Sequence, residues 1–397
     1  MDIVIHNARV MTCDPSRTGL GMIDRGALAI ANGHVAWVGE DEQRPHAARE
    51  VDAGGRFVTP GLVDCHTHAI FAGDRANEFA MRAAGKSYLE IAAAGGGIAA
   101  TLGPTRAASD GELIAAMEAR LDVALAGGTT TIEIKSGYDL TVDGELRVLR
   151  CIATAAAQRR QRLVPTLLAH LVPPDRVATR DAFVAELCER LIPQVAAQRL
   201  ARSVDVYCDQ GAFTLDESRR ILSAARDAGL AVRGHVGQFA ELGAAEMIAE
   251  LGALSADHVE HISDAGIAAL ARAGTVAVML PGACVQLRLP VPPVDKLRAA
   301  GVPMAIATDM NPGSSNCETL AVQLWLATTH YGMSVEEAWL GVTRHAAQAL
   351  ALDGPGTLAA GSPADFVVWS CEQPAHVPYR YGMNLVHAVY VAGEPVG

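Results

Sequence analysis

The sequence predicts an α/β protein: a (β/α)8 TIM-type barrel with a small β-sandwich domain formed by the N- and C-terminal segments. Three observations predict it. Eight short apolar segments alternate with amphipathic helical stretches through the middle of the chain. Residues able to do chemistry fall at the C-terminal ends of those segments, the face on which barrels build active sites. Both ends of the chain instead read as short strands joined by turns.

The small domain is expected over residues 1–58 and 355–397, and the barrel over 59–354. Asp2 to Val10 reads as a strand, and Ala27 to Val38 holds Asn32-Gly33, a two-residue hairpin signal between apolar flanks. Ala364 to Trp369 and Leu385 to Val391 have the same texture. The eight barrel strands are read as Gly61–His68, Thr129–Tyr138, Leu163–His170, Val204–Asp209, Ala231–Gln238, Ala256–His261, Thr275–Pro281 and Val302–Asp309. Helical runs such as Gly111–Ala126, Asp216–Ala228 and Asp264–Arg272 lie between them.

Composition narrows the function classes. The 397 residues are 50% hydrophobic and 19% charged, which is enough apolar material for a large core. A net charge of −12 with no long basic run argues against nucleic acid and against an anionic membrane surface. The start, Met1 to His6, lacks a basic segment leading into a long apolar one, and no apolar run is long enough for a membrane span. The eight cysteines are scattered without a CxxC pair, which reads as reduced thiols and a cytoplasmic protein.

The chemistry begins at Asp64-Cys65-His66-Thr67-His68, which ends the apolar run Pro60 to Val63. Residues two apart on a strand share a face, so His66 and His68 project together, one half of a divalent-metal site. His235, in Arg233-Gly234-His235-Val236-Gly237-Gln238, ends the fifth strand. Asp309, in Ala307-Thr308-Asp309-Met310-Asn311, ends the eighth. Three histidines and an aspartate over one barrel mouth suit Zn2+ or iron and leave a position for water. Asp309 could take the water's proton, and His258 could polarise the attacked carbonyl or position the hydroxide, making these two the catalytic pair. The chain has only three lysines: Lys86, Lys135 and Lys296. The fourth strand ends Val206-Tyr207-Cys208-Asp209 with none to bridge two ions, so one metal is expected. Lys135 is expected to support the loop containing Tyr138.

These motifs resemble a known family. Pro60 to His68 resembles the opening of metal-dependent amidohydrolases. More specific segments are similar to the imidazolonepropionase family of histidine breakdown: Phe71-Ala72-Gly73-Asp74-Arg75, Ala94-Gly95-Gly96-Gly97-Ile98, Glu133 to Tyr138, Ser255 to His258, Leu280 to Ala283, Thr308 to Ser315 and Val377 to Gly382. The resemblance implies hydrolysis of 4-imidazolone-5-propanoate, a small anionic heterocycle, to N-formimidoyl-L-glutamate with zinc or iron, and a homodimer. It implies metal ligands His66, His68, His235 and Asp309. It implies substrate contacts at Arg75, Tyr138, His170, Gln238, Asn311, Gly313 and Ser314. Arg75 could pair bidentately with a propionate. Gly313 and Ser314 could present donors where a helix begins after the eighth strand; the plainer reading of Asn311 to Ser315 is an ordinary turn and helix cap. The chain departs from the family pattern at Gly237, because Val236-Gly237-Gln238 carries no carboxylate where relatives have an acidic residue. That shifts the proton shuttle toward Asp309 and His258, or marks a changed substrate.

Two other readings stay open on the residues alone. One keeps barrel and metal but acts on another small carboxylated heterocycle, as a related amidohydrolase or deaminase. The other is a non-catalytic scaffold, a class that typically loses metal ligands.

Overall fold

In a computed structural model, which describes residues 1–86, 90 and 96–396, the two ends of the chain build one mixed sheet. Its strands are β1 (Ile3–Met11), β2 (Met22–Ala31), β3 (His34–Glu40), β4 (Arg49–Asp52) and β5 (Phe57–Pro60), joined later by β14 (Phe366–Trp369), β15 (Val386–Val391) and β16 (Glu394–Val396). The order is β16-β15-β14-β5-β1-β2-β3, with β4 alongside β1. Asn32-Gly33 makes the β2–β3 turn, with Ala31 opposite His34. Alternate residues of strands from both chain ends, among them Ile5, Val10, Leu28, Val58, Phe366, Val368 and Tyr390, bury one shared core. Their neighbours Phe57, Val367 and Trp369 face the other way and join the core of the barrel.

The barrel strands are β6 (Leu62–Asp64), β7 (Thr129–Lys135), β8 (Arg162–Ala169), β9 (Ser203–Cys208), β10 (Ala231–Val236), β11 (Ser255–His258), β12 (Val276–Met279) and β13 (Met304–Ile306). Each pairs in parallel with the next, in unbroken sequence order. Helices follow the strands, three of them opened by capping boxes: Ser109 with Glu112, Thr214 with Glu217 and Ser334 with Glu337. The predicted helical runs appear as Asp110–Ala126, Leu215–Asp227 and Asp264–Ala273.

Several strands stop short of the ranges the sequence suggests. His66 and His68 lie beyond β6, His170 one residue beyond β8, and Asp309 three beyond β13. At Asp309 the backbone turns left-handed (φ 51°), which ends the pleat. The first and last strands close the barrel through these extensions. Asp309 N–H donates to His66 O at 3.1 Å, His68 N–H donates to Met310 O at 2.8 Å, and Thr67 bridges Met310. Barrel closure and the register of His66, His68 and Asp309 are therefore the same set of bonds.

The barrel interior carries charge where branched apolar residues usually fill the layers. Glu133, Lys135, Asp205, Arg233 and Asp257 are all fully buried. Lys135 does not support the Tyr138 loop as expected. Its ammonium lies inside the barrel, donating to Glu133 at 2.9 Å and Asp205 at 2.8 Å. The loop is held by Glu145, whose carboxylate accepts from the N–H groups of Gly137, Asp139 and Leu140. Of the motif Ala94 to Ile98, Ala94 and Gly95 lie outside the described residues.

Candidate metal centre and active site

Three imidazoles converge at the C-terminal mouth of the barrel. The ligand atoms of His66, His68 and His235 lie within 4.8 Å of one another. His235 Nε2 is 3.4 Å from His68 Nε2, and Asp309 Oδ1 is 3.5 Å from His66 Nε2 and 3.4 Å from His68 Nε2. Ligand atoms about 2.05 Å from a tetrahedral ion stand roughly 3.3 Å apart. These separations match a cage with room for one ion. Among the described residues His66 Nε2 is buried with no hydrogen-bond partner, as a nitrogen reserved for a metal would be.

The opposite ring nitrogens are fixed from inside the barrel. Asp257 binds His66 Nδ1 at 2.6 Å, and Asp205 binds His235 Nδ1 at 2.8 Å. These carboxylates are themselves held by cations: Arg233 on Asp257 at 2.9 Å and Lys135 on Asp205 at 2.8 Å. Each carboxylate takes the Nδ1 proton as acceptor and leaves Nε2 aimed at the cage. Burial, then Lys135, lowers the pKa of His68 to about 3, and burial lowers that of His235 to about 4. Both rings are therefore neutral at physiological pH, the form that ligates metal. Burial raises the Asp309 pKa against the pull of His258 and His235. A cation in the cage would reverse that shift.

A cavity of about 770 Å³ opens above the cage. It is lined by every sequence-predicted site residue except His66, which lies beneath it. His170 Nδ1–H donates to Gly137 O at 2.9 Å, leaving Nε2 as an acceptor. Tyr207 donates to Gln238 Oε1 at 2.8 Å. Gly237 (φ 68°) turns the chain at the end of β10, and its carbonyl accepts from His261 N–H at 2.8 Å. His258 Nδ1 stands 3.6 Å from Glu260 Oε1. Burial opposes a charge on His258, but Glu260 and then Asp309 outweigh it and raise its pKa.

Three expected contacts have other partners. Arg75 Nε and Nη2 both donate to Glu78, at 2.9 and 2.7 Å, so its bidentate edge is already occupied. The N–H groups of Gly313 and Ser314 both donate to Asn311 Oδ1, at 2.8 and 2.7 Å. No helix begins there: the next one is Leu320–Thr329. Residues 311–315 are a turn closed on itself by the Asn311 side chain, and what Ser314 still offers is its hydroxyl, 3.3 Å from Asp309 Oδ2.

The amidohydrolase family profile matches residues 57–396. Curated imidazolonepropionases are similar over nearly the whole chain. That of Caulobacter vibrioides is 48% identical over 392 residues, covering 98% of each chain. That of Xanthomonas axonopodis pv. citri is 45% identical over 399 residues, covering 99% of each. The chain belongs to the imidazolonepropionase family of the amidohydrolases. Solved structures bear on the fold of this family member. A zinc-bound adenosine deaminase from Xanthomonas campestris superposes with a TM-score of 0.73 at 19% identity, covering 99% of this chain and 92% of that one. An N-isopropylammelide isopropylaminohydrolase from Burkholderia multivorans superposes with 0.73 at 20% identity, covering 100% and 98%.

Sequence reasoning missed the groups behind the imidazolonepropionase-family motifs: Glu78, Glu133, Asp205, Arg233, Asp257 and Glu260. A signal for some was present. Arg233 stands two before His235, and Glu133 two before Lys135, so each shares a strand face with a residue already singled out. Glu260 stands two after His258 within the strand read as Ala256–His261 and shares the signal. Glu78 carries no such signal.

Proposed function

We propose that the protein hydrolyses 4-imidazolone-5-propanoate to N-formimidoyl-L-glutamate in histidine breakdown, holding one divalent zinc or iron ion on His66, His68, His235 and Asp309. The observation that carries the reading is the convergence of these four side chains below a cavity whose wall carries Arg75, Tyr138 and His170. The cage suits zinc and iron alike. The single-ion reading is supported by Lys135 and Arg233. They already neutralise Asp205 and Asp257, the carboxylates that could otherwise recruit a second ion beside His66.

When bound, the ion supplies a water acidified toward neutral pH. Asp309 is placed to accept a proton from the attacking water, and Ser314 Oγ steadies its second oxygen. His258, kept basic by Glu260, donates to the ring carbonyl as charge develops there. The water oxygen joins the carbonyl carbon, the ring C–N bond breaks, and Asp309 returns its proton to the leaving nitrogen. Val236-Gly237-Gln238 brings no carboxylate, which leaves this transfer to Asp309 and His258. Tyr138 and Arg75, on the cavity wall, would take the propionate, and His170 Nε2, left free by the Nδ1 bond to Gly137, would meet the ring.

The test is loss of the imidazolone absorbance on adding enzyme, with and without chelator. Chelator-sensitive turnover is expected; turnover that survives full metal removal overturns the proposal. Asp309→Asn and His258→Ala should each lower kcat by roughly 10²-fold or more, as loss of general acid–base groups does. Gln238→Ala should act mainly through KM.

A further inference from the structure

A propionate arriving above the cage must find positive charge, and Arg75 alone offers little. Its Nε and Nη2 are both taken by Glu78, so the Arg75–Glu78 pair presents a neutral face with only Nη1 directed at Gly313. Lys86 at the rim is ion-paired with Glu90 at 2.8 Å. Arg288 lines the cavity but is exposed at its mouth.

Arg82 differs from all three. It is half-buried, it lines the same cavity, and no carboxylate stands within ion-pair distance of it among the described residues. Its Nη1 donates to the Gly313 carbonyl at 3.5 Å, which is long for a hydrogen bond. That carbonyl also receives Gln286 Nε2 at 3.3 Å. A half-buried guanidinium with no counter-charge, beside a pocket that accepts an anion, is poised to bind one.

Resting on the substrate reading above, we infer that Arg82 is a substrate-binding residue. It supplies the positive charge that recognises the ligand's carboxylate, with Arg75 Nη1 as a second donor and Gly313 between them. Glu78 then has a defined role: it fixes the Arg75 fork sideways, so that one N–H rather than the bidentate edge points into the cavity.

The experiment measures binding of two non-hydrolysable ligands, imidazole-4-propionate and its uncharged propionamide, to metal-loaded protein by calorimetry. Wild type should prefer the acid. Arg82→Gln should weaken the acid by about 10- to 100-fold, the range for a lost hydrogen bond to a charged group, and leave the amide within about threefold. Arg82→Lys should recover part of the acid preference. Equal weakening of both ligands would make Arg82 a prop for the Gly313 carbonyl and overturn the inference, as would an unchanged preference. Wild-type protein that discriminates acid from amide but does not hydrolyse the imidazolone would overturn the reaction and keep the clamp. The reverse pattern, turnover with discrimination untouched by Arg82→Gln, would overturn the clamp and keep the reaction.

Discussion

Neutral imidazoles are the first requirement of the cage, and burial is what secures them. An imidazolium at His68, His170 or His235 would sit in a low-dielectric barrel mouth among other rings, so its pKa falls to about 3, 4 and 4 respectively. The sign is that of a group losing its charged form: the rings stay neutral as pH drops through the ordinary range near 6.5 and protonate only well below it. In metal-free protein, nitrogen-detected NMR should show all three neutral at pH 5.5. A midpoint between pH 6 and 7 for any of them would refute this account. At the opposite wall, close approach rather than charge sets the requirement. A Cβ on Gly313 would collide with Arg75 Nη1, so Gly313→Ala must push the Arg75 fork off the cavity. KM should rise about tenfold or more, as for loss of a charged hydrogen bond, with metal content unchanged. Wild-type KM in that variant would show that Arg75 does not touch substrate.

At the scale of elements, the eight strands act as a frame whose inner face orients the ligands. Asp205 on β9 and Asp257 on β11 hold His235 and His66 by Nδ1, and Lys135 on β7 and Arg233 on β10 hold the two carboxylates. Replacing either carboxylate by its amide keeps the shape and removes the charge. Asp205→Asn and Asp257→Asn should each weaken metal affinity by about 10- to 100-fold, read by competition with a chelator. Affinity equal to wild type would mean that strand geometry alone orients the rings. This layer also marks where the sequence stops being legible. The strands, the helical runs and the grouping of His66, His68, His235 and Asp309 follow from periodicity and from residues two apart at strand ends. The interior charges do not. Glu133, Lys135 and Asp205 look like surface residues in a one-dimensional pattern, because only barrel closure shows that they face one another. The Glu78–Arg75 pair was hidden for the same reason: it is a choice among several hydrogen-bond partners that local sequence leaves open. Asn311 to Ser315 reads from sequence as a turn as well as an anion site, and the turn is what forms.

For the whole molecule, the terminal sheet and the barrel are one mechanical unit. β5 runs into β6 through Gly61 alone, and Gly61 N–H donates to Asp365 O at 2.8 Å beside β14. The seam between the units is aromatic. Trp339, fully buried on the helix Val335–Gly341, meets Phe57 of β5 and Trp369 of β14 edge-to-face, each at 5.7 Å between centroids. Its indole N–H reaches Pro374 O at 3.1 Å, and the Trp369 N–H donates to Thr59 Oγ1 at 2.9 Å. The same stretch, β5 to β6, ends two residues before His66, so loosening the seam also loosens the first ligand strand. Trp339→Ala should cost about 3–5 kcal/mol, the range for a fully buried aromatic truncation. In a chain of this size that lowers Tm by several degrees, and a shift under about 1 °C would refute a shared core. Wild type should melt in a single calorimetric transition. The variant should lose bound metal at a lower temperature than wild type, because a weakened seam frees the segment that carries His66 and His68. Metal retention at the wild-type temperature alongside a lowered Tm would separate the terminal sheet from the barrel, and the cage would then stand on barrel closure alone.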